Sequence, residues 1–356
     1  MTVEIKPPKQ VVEILEKLES HGYSAYIHGE CVRVLIKGQT HLDEIKAFDF
    51  DVMTNAEMSR ILAIFEDYGL NCENVARGEL IVTVLGVAVS ITTMTEIKDE
   101  LSNEHAFTFD AIAYSLKSGL VDPWGGLNDL KKGCLNFIQV GKAFNPHDIL
   151  PALAWRSSGD FEISDFAKGL IHNNISDMAK PSYVKESQDA KNLKAILTER
   201  NVNAVLSEYE DVFAAIIPEI KMLGENAEHS YKCVGCSAPV LTLRYALLFH
   251  ELGKEDCRSV DSNGNNLYYG HAERSRIYAE RIMTRLGCPA EDIKETGLII
   301  KNYQRVAHTS RTLILDLKDE FPNDLLKLLL LFNCAINRAV SNEKDAMMFK
   351  ELSKGM

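Results

Sequence analysis

The change of hydrophobic period near residue 140 constrains this chain more than any other feature. Before it, residues 80–85 and 87–92 alternate apolar and polar around Gly86, the period of two expected of paired strands. Residues 26–27 and 48–52 add strand signals, and the spacing predicts helices over 9–19, 31–36, 59–68 and 107–115. A turn-rich connector follows at 121–126. After residue 140 the strand signals vanish. Helical patterns succeed one another at 147–156, 164–172, 183–198, 202–215, 240–252, 271–286, 290–303 and 323–340. The fold class is therefore α+β: a small mixed-sheet head followed by an all-helical remainder.

A chain of 356 residues has room for two or three domains. Its 46% hydrophobic and 25% charged residues fit an ordinary soluble protein. No stretch has the ~18 uncharged apolar residues of a membrane span, so no membrane partner is expected. The Met1-Thr-Val-Glu-Ile-Lys start lacks the apolar segment of a signal peptide, and eight scattered cysteines suit reduced thiols, so a cytoplasmic protein is expected. Cys233 and Cys236 form a lone CxxC with no second pair at zinc spacing, which favours an ordinary packing role. The net charge of −12 works against avid nucleic-acid binding, but a local basic groove remains compatible with it.

Two carboxylates carry the clearest chemistry. Asp49 and Asp51 stand at i and i+2 on a predicted strand, so both aim at one spot. Such a pair can hold two Mg²⁺ ions about 3.5–4 Å apart, or simply end an exposed strand. Upstream, Gly29 reads equally as a plain turn glycine and as a place where backbone N–H groups approach a phosphate at a helix start.

Several motifs lie in a telling order: Tyr26-Ile-His-Gly-Glu-Cys-Val-Arg33, then Phe48-Asp-Phe-Asp51, Ala106-Phe-Thr-Phe-Asp-Ala-Ile-Ala-Tyr114, Gly119-Leu-Val-Asp-Pro-Trp-Gly-Gly126 and Ile149-Leu-Pro-Ala-Leu-Ala-Trp155. Together they resemble the CCA-adding tRNA nucleotidyltransferase and bacterial poly(A) polymerase family, whose head belongs to the DNA polymerase β superfamily. Leu247-Leu-Phe-His-Glu-Leu-Gly-Lys254 and Tyr269-Gly-His271 resemble the HD-type helical part of many bacterial members. The resemblance implies a nucleotidyltransferase head over 1–140, a helical neck over 141–220 and an HD-like body over 221–356. It implies transfer of a nucleotide from NTP, ATP or CTP, to an RNA 3′ end, first of all tRNA, with no DNA partner. Asp49 and Asp51 would hold Mg²⁺, Gly29 and Arg33 would meet the triphosphate, and Asn145 and Asp148 would face the base.

The chain departs from the family pattern at charged positions. Glu30 stands for a second glycine and Val34 for an aspartate. Ser90 occupies the place of a third carboxylate on the hairpin. Glu104-His105-Ala106 replaces an Arg-Arg-Asp run, and Asp110 replaces an asparagine. The base-reading Asp and Arg become Asn145 and Asp148, and a following Arg becomes Pro151. A register shifted by three keeps Asp148 as the acid but puts Pro151 and Ala154 at both arginines. Either way the template for C and A is gone, so base selectivity is expected to be poor. The departures keep a second class of function in view, a non-catalytic RNA- or protein-binding relative. For the HD-like part, His229, His250, Glu251 and His271 are the candidate metal ligands, against a reading as satisfied core histidines; phosphohydrolase activity is the third alternative. Trp124 and Trp155 are expected in the core. Lys191, Lys194, Arg200 and Lys221 suit an RNA groove and a solvated helix face equally well.

Overall fold

The computed structural model describes residues 5–38, 50–75, 79–139, 143–180, 186–307 and 313–356. The chain divides into two compact units, Met1–Ala143 with Glu162–Ala167, and Phe144–Phe161 with Lys168–Met356.

The first unit is built on a seven-stranded mixed sheet. Along the chain come α1 (Lys9–Ser20), β1 (Ala25–His28), α2 (Glu30–Ile36), β2 (Phe50–Thr54), α3 (Met58–Asp67), β3 (Asn71–Val75), β4 (Glu79–Val84) and β5 (Val87–Thr93). Then follow α4 (Ile97–Glu104), β6 (Ala113–Ser115), β7 (Gly119–Val121), α5 (Gly126–Lys132) and the short β8 (Cys134–Leu135). The strand order is β3-β4-β5-β2-β1-β6-β7. All neighbours are antiparallel except β2 and β5, which run parallel.

Alternation decides what each face buries. Phe50 and Val52 of β2, Leu80, Val82 and Val84 of β4, and Val87, Val89 and Ile91 of β5 share one face and pack against Ile14, Leu15 and Leu18 of α1 and Ile61, Ile64 and Phe65 of α3. Each such fully buried side chain contributes about 1.5–3 kcal/mol. The intervening residues, Asp51, Ser90, Glu79 and Ile81, point to the other face and are half-buried.

Two glycines are required by geometry. Gly29 takes φ 75° at the start of α2. At Gly126 a Cβ would fall 1.9 Å from the Thr108 carbonyl oxygen. The Asp122 carboxylate accepts from the N–H groups of Gly126 at 2.7 Å and Leu127 at 3.0 Å, so the Asp-Pro-Trp-Gly-Gly run is a helix-starting device.

The second unit is helical: α6 (Ile149–Ser158), α7 (starting in the first unit, Asp165–Met178), α8 (Glu186–Leu197), α9 (Val202–Glu208), α10 (Glu210–Ile216), α11 (Ala227–Gly235), α12 (Leu241–Phe249), α13 (His271–Arg285), α14 (Ala290–Ala307), α15 (Leu313–Glu320), α16 (Asn323–Ala339) and α17 (Glu343–Lys354). Every residue from Thr242 to Phe249 in α12 is buried, the pattern of a helix enclosed by others. Its Arg244 guanidinium donates to the carbonyls of Leu197, Glu199 and Ala238, closing the last turn of α8.

Several sequence expectations are corrected. Residues 107–115 are a turn followed by β6, not a helix, because Ala113 and Tyr114 pair with β1. The stretch 202–215 is two helices, broken at Tyr209 with φ −121°. Strands also persist after residue 135: β9 (Glu162–Ile163) pairs with β8, and β10 (Ser259–Val260) with β11 (Asn266–Leu267). Helices α11, α15 and α17 were missed by periodicity.

Candidate functional site

Asp51 sits on β2 between two neighbours that share its face. His28 of β1 is opposite it on one side and Ser90 of β5 on the other. Asp49 lies outside the described residues. At Ser90, where a third carboxylate is expected, the hydroxyl donates 2.5 Å to Glu79 Oε1 from the next strand. Ile81 is the register partner of Ser90, and Glu79 is two residues before it, so Glu79 lies on the same face diagonally across. A second acid therefore stands near Asp51 without occupying position 90. The donor set, carboxylates on a half-exposed sheet face, suits a hard divalent cation such as Mg²⁺.

The turn leading into α2 is filled by the chain's own side chains. His105 Nε2 lies 2.9 Å from His28 Nδ1. The His105 ring covers Gly29 so closely that a Cβ there would meet its Cε1 at 2.9 Å. Burial lowers His28 to about 3, with His105 adding to the shift, and burial lowers His105 to about 4. Both imidazoles are neutral at physiological pH, so the residue at a family arginine position carries no charge.

Arg33 is buried and engaged by two carboxylates. Its Nε donates to Asp110 Oδ1 at 2.8 Å and its second guanidinium nitrogen lies 3.0 Å from Glu30 Oε1. Burial raises Asp110, against the downward pull of Arg33. Glu30 and Asp110 are two of the positions that depart from the family pattern, and both converge on one guanidinium.

Asn145 and Asp148 belong to the second unit, and Gly29 and Arg33 to the first. Asn145 accepts from the His147 N–H at 3.2 Å and donates to Asp148 Oδ1 at 3.2 Å, opening a single 3₁₀ turn, Pro146–Asp148. Burial raises Asp148 to about 6, partly opposed by the Asn145 hydrogen bond.

His229, His250 and Glu251 come together in the second unit, their ligand atoms all within 4.8 Å. The resemblance implies an HD-type metal there, and these three fit a cation. His271 does not join them. Its Nδ1 is 2.7 Å from the Tyr268 carbonyl and its Nε2 is 2.8 Å from the Tyr303 hydroxyl, so both nitrogens are engaged. The Lys254 ammonium lies against Glu251 Oε2. Burial pushes the Glu251 carboxyl up, but His250 and Lys254 hold it down at about 2.

The remaining expectations have plain placements. Trp124 is half-buried and lines a cavity of about 430 Å³ with Thr108, Asn136, Phe137 and Phe166. Trp155 stands edge-on to Phe161 at 5.4 Å. Lys191, Lys194, Arg200 and Lys221 are exposed. Glu79 is the site residue that sequence reasoning missed. The hairpin around Gly86 was legible, and counting outward from it places Glu79 diagonal to Ser90.

No family model matches the chain. It is 25% identical over 282 residues to the CCA-adding enzyme of Geobacillus thermodenitrificans, covering 71% of this chain and 66% of that one. It is 30% identical over 176 residues to the CC-adding tRNA nucleotidyltransferase of Halalkalibacterium halodurans, covering 48% and 44%. The chain thus spans two thirds or less of these relatives. Among solved structures, the Bacillus stearothermophilus CCA-adding enzyme in complex with CTP superposes with a TM-score of 0.63 at 19% identity, covering 98% of this chain and 82% of that one. The Thermotoga maritima CCA-adding enzyme complexed with tRNA gives 0.63 at 17%, covering 98% and 83%. At that identity the superpositions establish the fold, a mixed-sheet head followed by helices. The motif order and the sequence relatives make the chain similar, at a distance, to CCA-adding enzymes.

Proposed function

We propose that this chain transfers nucleotides from NTP to an RNA 3′ end, with tRNA as the acceptor and low selectivity among bases. The observation that carries the reading is the acid face of the sheet. Asp51 is held in register beside Ser90, and Ser90 steers Glu79 toward the same face. Asp51, with Asp49 two residues before it, would hold Mg²⁺, which when bound supplies charge neutralisation for the attacking 3′-hydroxyl and the leaving pyrophosphate. Glu79, anchored through Ser90, adds negative charge beside Asp51 and orients its surroundings. The relatives named as CCA-adding and CC-adding enzymes support tRNA as the acceptor. Low selectivity follows from Asn145 and Asp148, which satisfy each other rather than presenting a guanidinium edge to a base. A site without a matched polar edge loses the discrimination that unpaired buried groups provide.

A second reading is favoured by a specific observation. Arg33 is neutralised by Glu30 and Asp110, and His105 covers Gly29. A non-catalytic relative that binds RNA on the inherited scaffold would show the same closure. Incubating the purified chain with Mg²⁺, each NTP in turn, and tRNAs ending before, within and after CCA separates the two. Extension by several NTPs supports transfer. RNA binding without extension by any NTP supports the second reading.

A further inference from the structure

One cavity of the first unit is not used by the proposed transfer site. It holds about 430 Å³, within the size of a small-molecule pocket, and Trp124, Phe137 and Phe166 supply its aromatic surface. Phe166, the second residue of α7, is 58% exposed. A large apolar ring left in solvent beside a cavity marks a surface that a ligand can cover. Asn128, Asp129 and Gln139 bring polar groups to the same cavity. We propose that this cavity binds a purine base, stacked on the aromatic surface and read along its edge by Asn128, Asp129 and Gln139. The proposal is independent of nucleotide transfer.

Internal contacts hold the frame of the cavity. Residues 106–108 and 136–138 run alongside each other: the Thr108 N–H donates to the Asn136 carbonyl at 3.1 Å and the Ile138 N–H to the Ala106 carbonyl at 2.9 Å. Phe107 stacks on Phe109 and packs against Phe137, with ring centroids 5.4 and 5.5 Å apart. The Thr108 hydroxyl and the Asn136 amide donate to Asp129 Oδ2 at 2.6 and 3.0 Å, and the Ser164 hydroxyl donates to Asn136 Oδ1. The Lys98 ammonium, 5.1 Å from the centroid of the Trp124 ring, steadies the indole. A frame ordered in advance lowers the cost of binding.

Charge decides the class of ligand. Among the described residues that line the cavity, Asp129 alone is charged at neutral pH, so the cavity repels a phosphate and accepts a neutral ring. Both side-chain donors to Asp129 end on Oδ2, which leaves Oδ1 to accept from an amino group or ring N–H of the base. Gln139 Nε2 donates to the Ile138 carbonyl at 3.2 Å and keeps Oε1 for a donor. The exposed Asn128 carboxamide offers a donor and an acceptor side by side, the pattern that pairs with the N6/N7 edge of adenine. The fused rings of a purine give the larger face for stacking on Trp124 and Phe166. The base can belong to a free nucleoside or to an RNA strand, since both present the same ring.

The test uses the full chain in EDTA, so that the Mg²⁺-dependent transfer site takes no part. The chain has two tryptophans, and Trp155→Phe leaves Trp124 as the sole indole. Adenosine, guanosine and uridine are titrated against its fluorescence, and calorimetry on the parent reads the same binding without a variant. The expected result is saturable binding of a purine nucleoside at one site per chain, with uridine weaker. Phe166→Ala, at an exposed position, should weaken it about 5- to 150-fold, the worth of one base–aromatic stack, and Phe166→Trp should keep it. A short single strand of the preferred purine that binds more tightly than the nucleoside assigns the base to RNA; affinity no higher than the nucleoside's assigns it to the free form. No binding of either purine nucleoside, uridine binding as tight as theirs, or unchanged affinity in Phe166→Ala would each overturn the proposal.

Discussion

Two neighbouring regions of the first unit have treated their charges in opposite ways. On the sheet face around Asp51 the acids remain half-exposed, and Glu79 of the adjoining strand accepts from Ser90. At the turn into α2 the charges are turned inward: Arg33 is neutralised by Glu30 and Asp110, and a neutral His28–His105 pair fills the space over Gly29. The difference teaches that divergence here is not uniform erosion. On the proposed reading the sheet face keeps acids that could hold a cation, while the turn into α2 is filled by internal contacts.

The sharpest way to break the comparison is at Asp51. Asp51→Asn should lower RNA extension about a thousandfold, the upper end for removing one electrostatic stabiliser, with Tm little changed. An active variant would remove the sheet face from the chemistry. The histidine pair tests the other region. Its folded values of about 3 and 4 lie below the unfolded 6.5. A depressed base contributes stability that is complete above pH 6.5 and is lost as pH falls toward 4. Urea unfolding between pH 7 and 4.5 should fall by at most about 1.4 kcal/mol per pH unit for each imidazole. His105→Phe should flatten that dependence; an unchanged slope would show that the pair is not buried neutral.

Smaller effects sharpen the picture. Glu79→Gln should cost about 10- to 100-fold in kcat, as loss of an outer-shell partner does, and Ser90→Glu in that background should restore part of it. Equal activity in all three proteins would make the Glu79–Ser90 pair incidental. Asp148 is raised to about 6, so the folded chain holds its proton more tightly than the unfolded one. Stability is therefore lost as pH rises from about 4 to 6. Asp148→Asn should recover on the order of 1 kcal/mol above pH 6, after discounting for solvent screening, and nothing near pH 4. A gain independent of pH would contradict the buried-acid account.

Much of this arrangement was legible in the sequence, for identifiable reasons. The hairpin at residues 80–92 alternates cleanly because one face is buried and one is not, and the same alternation sets Asp51 apart from Phe50 and Val52. Residues 107–115 misled because Phe109, Ala111, Ile112 and Ala113 are all buried, which erases alternation; pairing with β1 is what makes Ala113–Ser115 a strand. The Arg33–Asp110 pair spans 77 positions in sequence, and no local pattern announces it. His229, His250 and Glu251 were readable as ligands by residue type, but His271 was not separable from them until Tyr268 and Tyr303 were seen to engage both its nitrogens.

The measurement closest to the central claim, a working acid face beside a self-neutralised phosphate turn, is steady-state RNA extension by the parent and by Glu30→Gly across NTP concentration. Glu30 is 62% exposed, so its grip on Arg33 is worth about 1 kcal/mol at most. The account predicts that Glu30→Gly lowers the KM for Mg²⁺-NTP by up to about fivefold with kcat unchanged, the mark of recovered uniform binding. An unchanged KM in an active pair of proteins would contradict the self-neutralised turn, and no extension by either would contradict the working acid face.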